Sequence, residues 1–244
     1  LIKTVNLAYQ ENPDPKQEQS APVIRMHTNA SLLKERAALE TPVIPDEKPV
    51  YEKVKRISDV VCSAAALTVL SPVLLLTAVC IVADDFGSPF YTQTRIGKDG
   101  KPFKIYKFRS MYLDADARRE ELMKQNEGSG ATFKMKKDPR ITRVGSVIRR
   151  TSIDELPQLL NILKGDMSVI GPRPFIPSEQ ANLPSDRLSV VPGLSCYWQI
   201  GGKNSLSLAE QIALDRKYIK ERSLLTDIKI VLKTIAHVFG GKNC

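Results

Sequence analysis

The sequence predicts an α/β fold, mostly helical, in which an apolar membrane helix precedes a small domain carrying a short β-hairpin. Three observations lead there. An uncharged run extends from Val60 to Ala83. β-formers alternate on both sides of Gly97-Lys98-Asp99-Gly100. Beyond residue 110 the apolar residues recur at helical spacing, as in Leu113, Ala117, Leu122 and Met123.

In chain order, residues 1–48 read as a leader. Gln10-Glu11-Asn12-Pro13-Asp14-Pro15-Lys16-Gln17 is polar, and prolines recur beyond it at Pro22, Pro42, Pro45 and Pro49. Too little apolar surface is present to offset chain entropy, apart from a short helix over 31–39. Residues 49–85 form the membrane segment. Roughly 24 helical residues reach about 36 Å, enough for a bilayer core of about 30 Å. Ser71-Pro72 sits near the middle, where proline removes the N–H that would bond to Thr68. A kinked span and a re-entrant hairpin both fit, and Ser71 can bond back to the preceding turn. Basic residues flank the run on both sides, Lys53, Lys55 and Arg56 before it and Arg95 to Arg109 after it, which favours keeping both ends on one side.

Residues 86–244 form the remaining domain. A hairpin is expected over 88–95 and 101–108. A helix comes next over 114–125, ended by Glu127-Gly128-Ser129-Gly130. Ser152 and Glu155 have capping-box spacing, so a helix is expected from Ser152 to about residue 163. A Pro/Gly-rich stretch over 171–202 leads to two last helices, 206–221 and 225–239.

Composition narrows the partners. Lys and Arg number 36 against 27 acidic residues, a formal charge of +9, so an anionic partner is indicated. Aromatics are 6% with a single Trp, a poor platform for stacking single-stranded bases. Cys62, Cys80, Cys196 and Cys244 are scattered and only two His exist, which argues against a zinc site.

The chemistry concentrates in three places. Asp154 and Glu155 stand just after Arg149 and Arg150, at the end of a segment whose positive residues are Lys134, Lys136, Lys137, Arg140, Arg143, Arg149 and Arg150. Alone, an Asp-Glu pair most often decorates a helix start. Beside cations it can supply a nucleophile for phosphorus and a ligand for a divalent metal, while arginines clamp phosphate oxygens. Second, Gly171-Pro172-Arg173-Pro174 presents one guanidinium from a rigid turn. Third, Lys107 and Arg109 share a strand face opposite Phe108.

These segments resemble the bacterial sugar transferases, the monotopic polyprenol-phosphate phosphoglycosyl transferases of the kind that initiate exopolysaccharide synthesis. The resemblance is carried by Lys55-Arg56-Ile57-Ser58-Asp59, Ser71-Pro72, 90–97, 106–111, 149–158, 163–174, Pro192-Gly193-Leu194, and Leu214-Asp215 with Tyr218-Ile219. It implies that Ser71-Pro72 breaks a re-entrant helix and that the domain lies on the cytoplasmic face of the bacterial inner membrane. Asp154 would attack the β-phosphate of a UDP-sugar, releasing UMP, and the phosphosugar would pass to undecaprenyl phosphate. Glu155 would bind Mg2+. Lys107, Arg109, Arg149, Arg173 and Asp215 match positions associated with the active site or the lipid phosphate. Inner-membrane lipid is the implied environment, nucleic acid is not a partner, and a homodimer is allowed. UDP-galactose and UDP-glucose are the first donors to try.

Two departures from the family pattern stand out. Lys203 replaces an arginine after the Trp-Gln segment and cannot supply a bidentate fork. Cys196 replaces a glycine in the Pro-Gly loop, with a bearing on loop shape and sugar choice. A non-catalytic membrane adaptor with a basic face is the other reading of the charge and the apolar run, but it leaves the Asp154 cluster without a purpose.

Overall fold

A computed structural model describes residues 42–122, 138–201 and 206–239. The helix expected over 31–39, the loop at 127–130 and Lys203 lie outside the described residues, as do Lys134, Lys136 and Lys137.

The first helix, α1 (Pro49–Asp84), runs 36 residues and is long and apolar enough to cross a membrane. Val61, Val69, Leu75, Leu76 and Val79 are exposed, a surface that water would disfavour. The interruption expected at Pro72 is not one in secondary structure, because no residue from Pro49 to Asp84 leaves the helix. The Thr68 carbonyl that proline orphans accepts a hydrogen bond from the Ser71 hydroxyl at 2.8 Å. Thr68 and Thr77 likewise donate to the carbonyls of Ala64 and Val73, so these hydroxyls are satisfied within the helix.

Both halves of α1 touch the rest of the chain. Arg56 donates to the carbonyls of Ile162 and Leu163, and Asp59 accepts from the Val169 N–H. Further along, Ala66 and Leu67 pack on Ile105, Leu159, Ile162 and Met167. Leu74, Ala78 and Ile81 pack with Phe108 and Ile148. At the far end Asp84 accepts from the Val144 N–H, and Asp85 pairs with Arg109.

The hairpin forms as expected: β1 (Phe90–Ile96) pairs antiparallel with β2 (Pro102–Phe108), Phe90 opposite Phe108 and Ile96 opposite Pro102. Its turn holds Asp99 at φ 56 and Gly100 at φ 75. Helix α2 (Ala115–Leu122) occupies the described part of the helix read over 114–125. Helix α3 (Arg143–Arg150) is capped by the Thr142 side chain, which accepts from the Gly145 N–H.

The helix expected from Ser152 to residue 163 is corrected. Ser152 takes the left-handed conformation, φ 58 and ψ 18, and its side chain makes no cap bond. A 3-10 turn (Ile153–Gln158) comes next, then α4 (Leu159–Lys164). Pro157 accounts for the split, since it has no N–H to continue an α-helical ladder. Among the described residues a capping box forms instead at Ser207 with Glu210.

A small parallel pair, β3 (Ser168–Ile170) and β4 (Gly193–Ser195), has no counterpart among the expected elements. Short helices α5 (Pro177–Gln180) and α6 (Tyr197–Ile200) organise the Pro/Gly-rich stretch. The last two helices form close to their expected bounds, α7 (Leu208–Glu221) and α8 (Leu224–Phe239). Gly171 and Gly193 bring β3 and β4 together. A Cβ on Gly193 would stand 2.0 Å from the Gly171 nitrogen, and one on Gly171 2.5 Å from the Val191 carbonyl oxygen. Backbone cannot retreat as a side chain can, so Gly193→Ala should lower stability by about 3 kcal/mol. Thermal unfolding in detergent measures this, and an unchanged midpoint would refute the close-approach argument.

Candidate active site

Asp154 and Glu155 lie on the 3-10 turn between α3 and α4, both half-buried. The left-handed Ser152 swings this turn out of the α3 axis and onto β2. There Lys107, on β2, donates to Glu155 Oε1 at 2.8 Å. Arg173 Nη1 stands 3.8 Å from the same oxygen. The turn is held against the hairpin by Asn161, fully buried on α4. Its amide donates to the Lys104 carbonyl and its Oδ1 accepts from the Tyr106 N–H.

Arg95 belongs to this cluster, although sequence reasoning did not select it. It donates to the Pro174 carbonyl and to Gln93. Burial first, and then the Arg173 charge, push its guanidinium down to about 10, with Glu155 pulling the other way. It therefore stays cationic near neutral pH. The signal that could have found it is the strand alternation that also presents Lys107. Lys107 and Arg173 thus flank one carboxylate, with Arg95 acting on it at longer range and Asp154 next to it in the chain. Arg173 is further held by the ring of Trp198, 5.6 Å from its guanidinium carbon.

The other expected site residues have the following surroundings. Arg149 is exposed at the last turn of α3, where it adds to the pull of Arg140 that lowers the Asp138 carboxyl. Arg109 is buried and binds the end of α1 through Asp85 and the carbonyls of Asp85 and Phe86. The expected shared face with Lys107 ends where β2 ends. Asp215 is buried on α7 and paired with Arg187 at 2.6 Å. Cys196 is fully buried among Ile170, Tyr218 and Ile230, so its bearing on the loop is through packing. Burial raises its thiol, and the nearby Asp215 adds to the effect.

Among the described residues no group of three or more His, Cys, Asp or Glu side chains could hold a metal unaided. A small pocket against Tyr51, Lys55, Met167 and Tyr218 has neither Asp154 nor Glu155 in its wall.

The profile of the family described as Bacterial sugar transferase matches residues 50–241. The chain is 42% identical over 214 residues to the exopolysaccharide production protein ExoY of Rhizobium meliloti, covering 83% of this chain and 95% of that one. It is 40% identical over 187 residues to the undecaprenyl-phosphate galactose phosphotransferase of Salmonella typhimurium, covering 74% of this chain and 39% of that longer protein. Similarity extends to a UDP-N-acetylgalactosamine-undecaprenyl-phosphate N-acetylgalactosaminephosphotransferase of Aeromonas hydrophila, 39% identical over 79% of this chain and 45% of that protein.

Proposed function

The chain belongs to the bacterial sugar transferase family, and on that premise we propose that it transfers a hexose-1-phosphate from a UDP-sugar to undecaprenyl phosphate. The observation that carries this reading is the Glu155 carboxylate facing Lys107 and Arg173, with Arg95 behind them and Asp154 alongside. Such a cluster suits a substrate bearing several phosphate charges.

In the first step an Asp154 carboxylate oxygen attacks the β-phosphorus. The bond from that phosphorus to the bridging oxygen breaks, and the electron pair leaves with UMP. In the second step an oxygen of the lipid phosphate attacks the same phosphorus and frees Asp154, leaving a lipid diphosphate sugar. Lys107, Arg95 and Arg173 offset the charge of the phosphates throughout. Mg2+ needs few protein ligands when substrate phosphates complete its shell, so Glu155, beside Asp154, would hold it once Lys107 turns from the carboxylate to the phosphates. When bound, the ion would neutralise phosphate charge.

The enzyme sits on one face of the bacterial inner membrane, the cytoplasmic one, with α1 inserted but not crossing. Support comes from the polar ties at both ends of the helix: Arg56 and Asp59 near its start, Asp84 and Asp85 at its end, all bonded to the same body. A spanning helix would place those ends on opposite sides of about 30 Å of hydrocarbon.

The test is UMP release by detergent-purified protein from a panel of UDP-sugars, with undecaprenyl phosphate and Mg2+. UDP-galactose and UDP-glucose come first, then the N-acetylhexosamines. Release from one donor that needs the lipid and is lost with EDTA is the expected result. No release from any donor by folded protein would overturn the reading in favour of the adaptor.

A further inference from the structure

The Arg187–Asp215 pair is the most completely buried ion pair among the described residues, with both side chains 1% exposed. A buried carboxylate of this kind is costly unless its partner is fixed. Arg187 is held through both of its terminal nitrogens. Nη1 donates to Gln180 Oε1 at 2.8 Å, while Nη2 donates to Asp215 Oδ2 at 2.6 Å and to the Arg173 carbonyl at 2.8 Å. Its guanidinium lies 4.5 Å from the Phe175 ring centre. One side chain thereby ties α7 and α5 to the backbone of the residue whose own guanidinium approaches Glu155.

We propose that Arg187 and Asp215 are positioning residues for Arg173, acting through its carbonyl and never touching substrate. This revises the expected role of Asp215 and adds Arg187, and it rests on the proposed transferase reaction only for its kinetic readout. The mechanism is geometric. Pro172 and Pro174 limit how the turn can bend, the Arg173 carbonyl is pinned from below, and Trp198 meets its guanidinium. With the carbonyl released, the turn can slide and move the guanidinium off the phosphates.

The single tryptophan makes the proposal testable without activity, since Arg173 lies against Trp198. Arg187→Lys keeps the charge beside Asp215 but lacks the fork that serves three acceptors at once. It should shift Trp198 emission in the same direction as Arg173→Ala does. It should also lower kcat/KM for the UDP-sugar roughly 10- to 100-fold, the scale of a small misplacement. In an Arg173→Ala background it should cost almost nothing more, because the residue it positions is gone. Should Arg187→Lys fail to fold, Asp215→Asn, equal in size and uncharged, carries the same comparison. Losses that multiply in full in the Arg173→Ala background would overturn the proposal, as would unchanged Trp198 emission in the folded variant. If the wild type turns over no donor, the transferase reading fails, while the emission experiment still decides whether Arg187 positions Arg173.

Discussion

Asp154→Asn is expected to lower UMP release by at least about 10^3-fold while leaving the fold intact. Asparagine has the same shape and can keep a half-buried place on the 3-10 turn, but it lacks the anionic oxygen that attacks phosphorus. Two-step transfer makes a sharper demand than loss of turnover. Without undecaprenyl phosphate, wild-type enzyme should release at most one equivalent of UMP per protein and then stall. The variant should release none. Binding of UDP-sugar should survive, because Lys107, Arg95 and Arg173 are unchanged and one negative charge near the phosphates has been removed. The checks are a rapid-mix measurement of UMP, a nucleotide-binding titration and a melting curve. A variant within tenfold of wild type would mean that Asp154 is not the nucleophile. Donor phosphate would then pass directly to the lipid.

Much of this architecture is legible from local rules. The hairpin comes from alternation around Gly97 and Gly100, and α7 and α8 from apolar periodicity, because those signals act within a few residues. Ser71 closing the Thr68 carbonyl is also readable, since hydroxyl and orphan are neighbours in the chain. The capping box assigned to Ser152 fails for a local reason: Pro157 stands five residues later and cannot extend an α-helix. That failure matters at the site, because the left-handed Ser152 turn brings Glu155 to Lys107. The hidden part is long-range. Arg187 reaches Asp215 across 28 positions and Asn161 reaches the Tyr106 N–H across 55. Neither pairing leaves a periodic trace in the sequence. Lys107 and Arg109 illustrate the limit of face assignment. Alternation puts them together, but the strand ends at Phe108, and Arg109 turns instead to Asp85.

Asp227→Ala should cost about 3–5 kcal/mol, because it opens the contact that fastens the start of α1 to α8. Asp227 Oδ2 accepts from Lys55 at 2.7 Å and from Tyr51 at 2.9 Å, and Oδ1 accepts from Tyr218 at 2.9 Å. The ionised side chains are only 14% and 12% exposed, so solvent and salt screen the pair little. Burial raises the hydroxyls of Tyr51 and Tyr218, with Asp227 adding to the effect, so both remain neutral donors around the carboxylate. Alanine strands the Lys55 charge, while the Tyr51 and Tyr218 hydroxyls keep each other and the Ile170 carbonyl as partners. For a chain of this size the melting midpoint should fall by about 10 °C. The cause is distinguishable from simple loss of packing. Lys55→Met combined with Asp227→Leu replaces the pair by apolar groups of similar volume and should recover most of the loss, since the penalty lies in the unpaired charge. A double variant no more stable than Asp227→Ala would defeat that explanation. Because α1 is tied at its other end by Asp85 and Arg109, the single variant should loosen only the first turns of the helix. Protease cleavage should then appear near Lys53 before it appears near Asp85. Cleavage starting at Asp85 would show that the two anchors do not act independently.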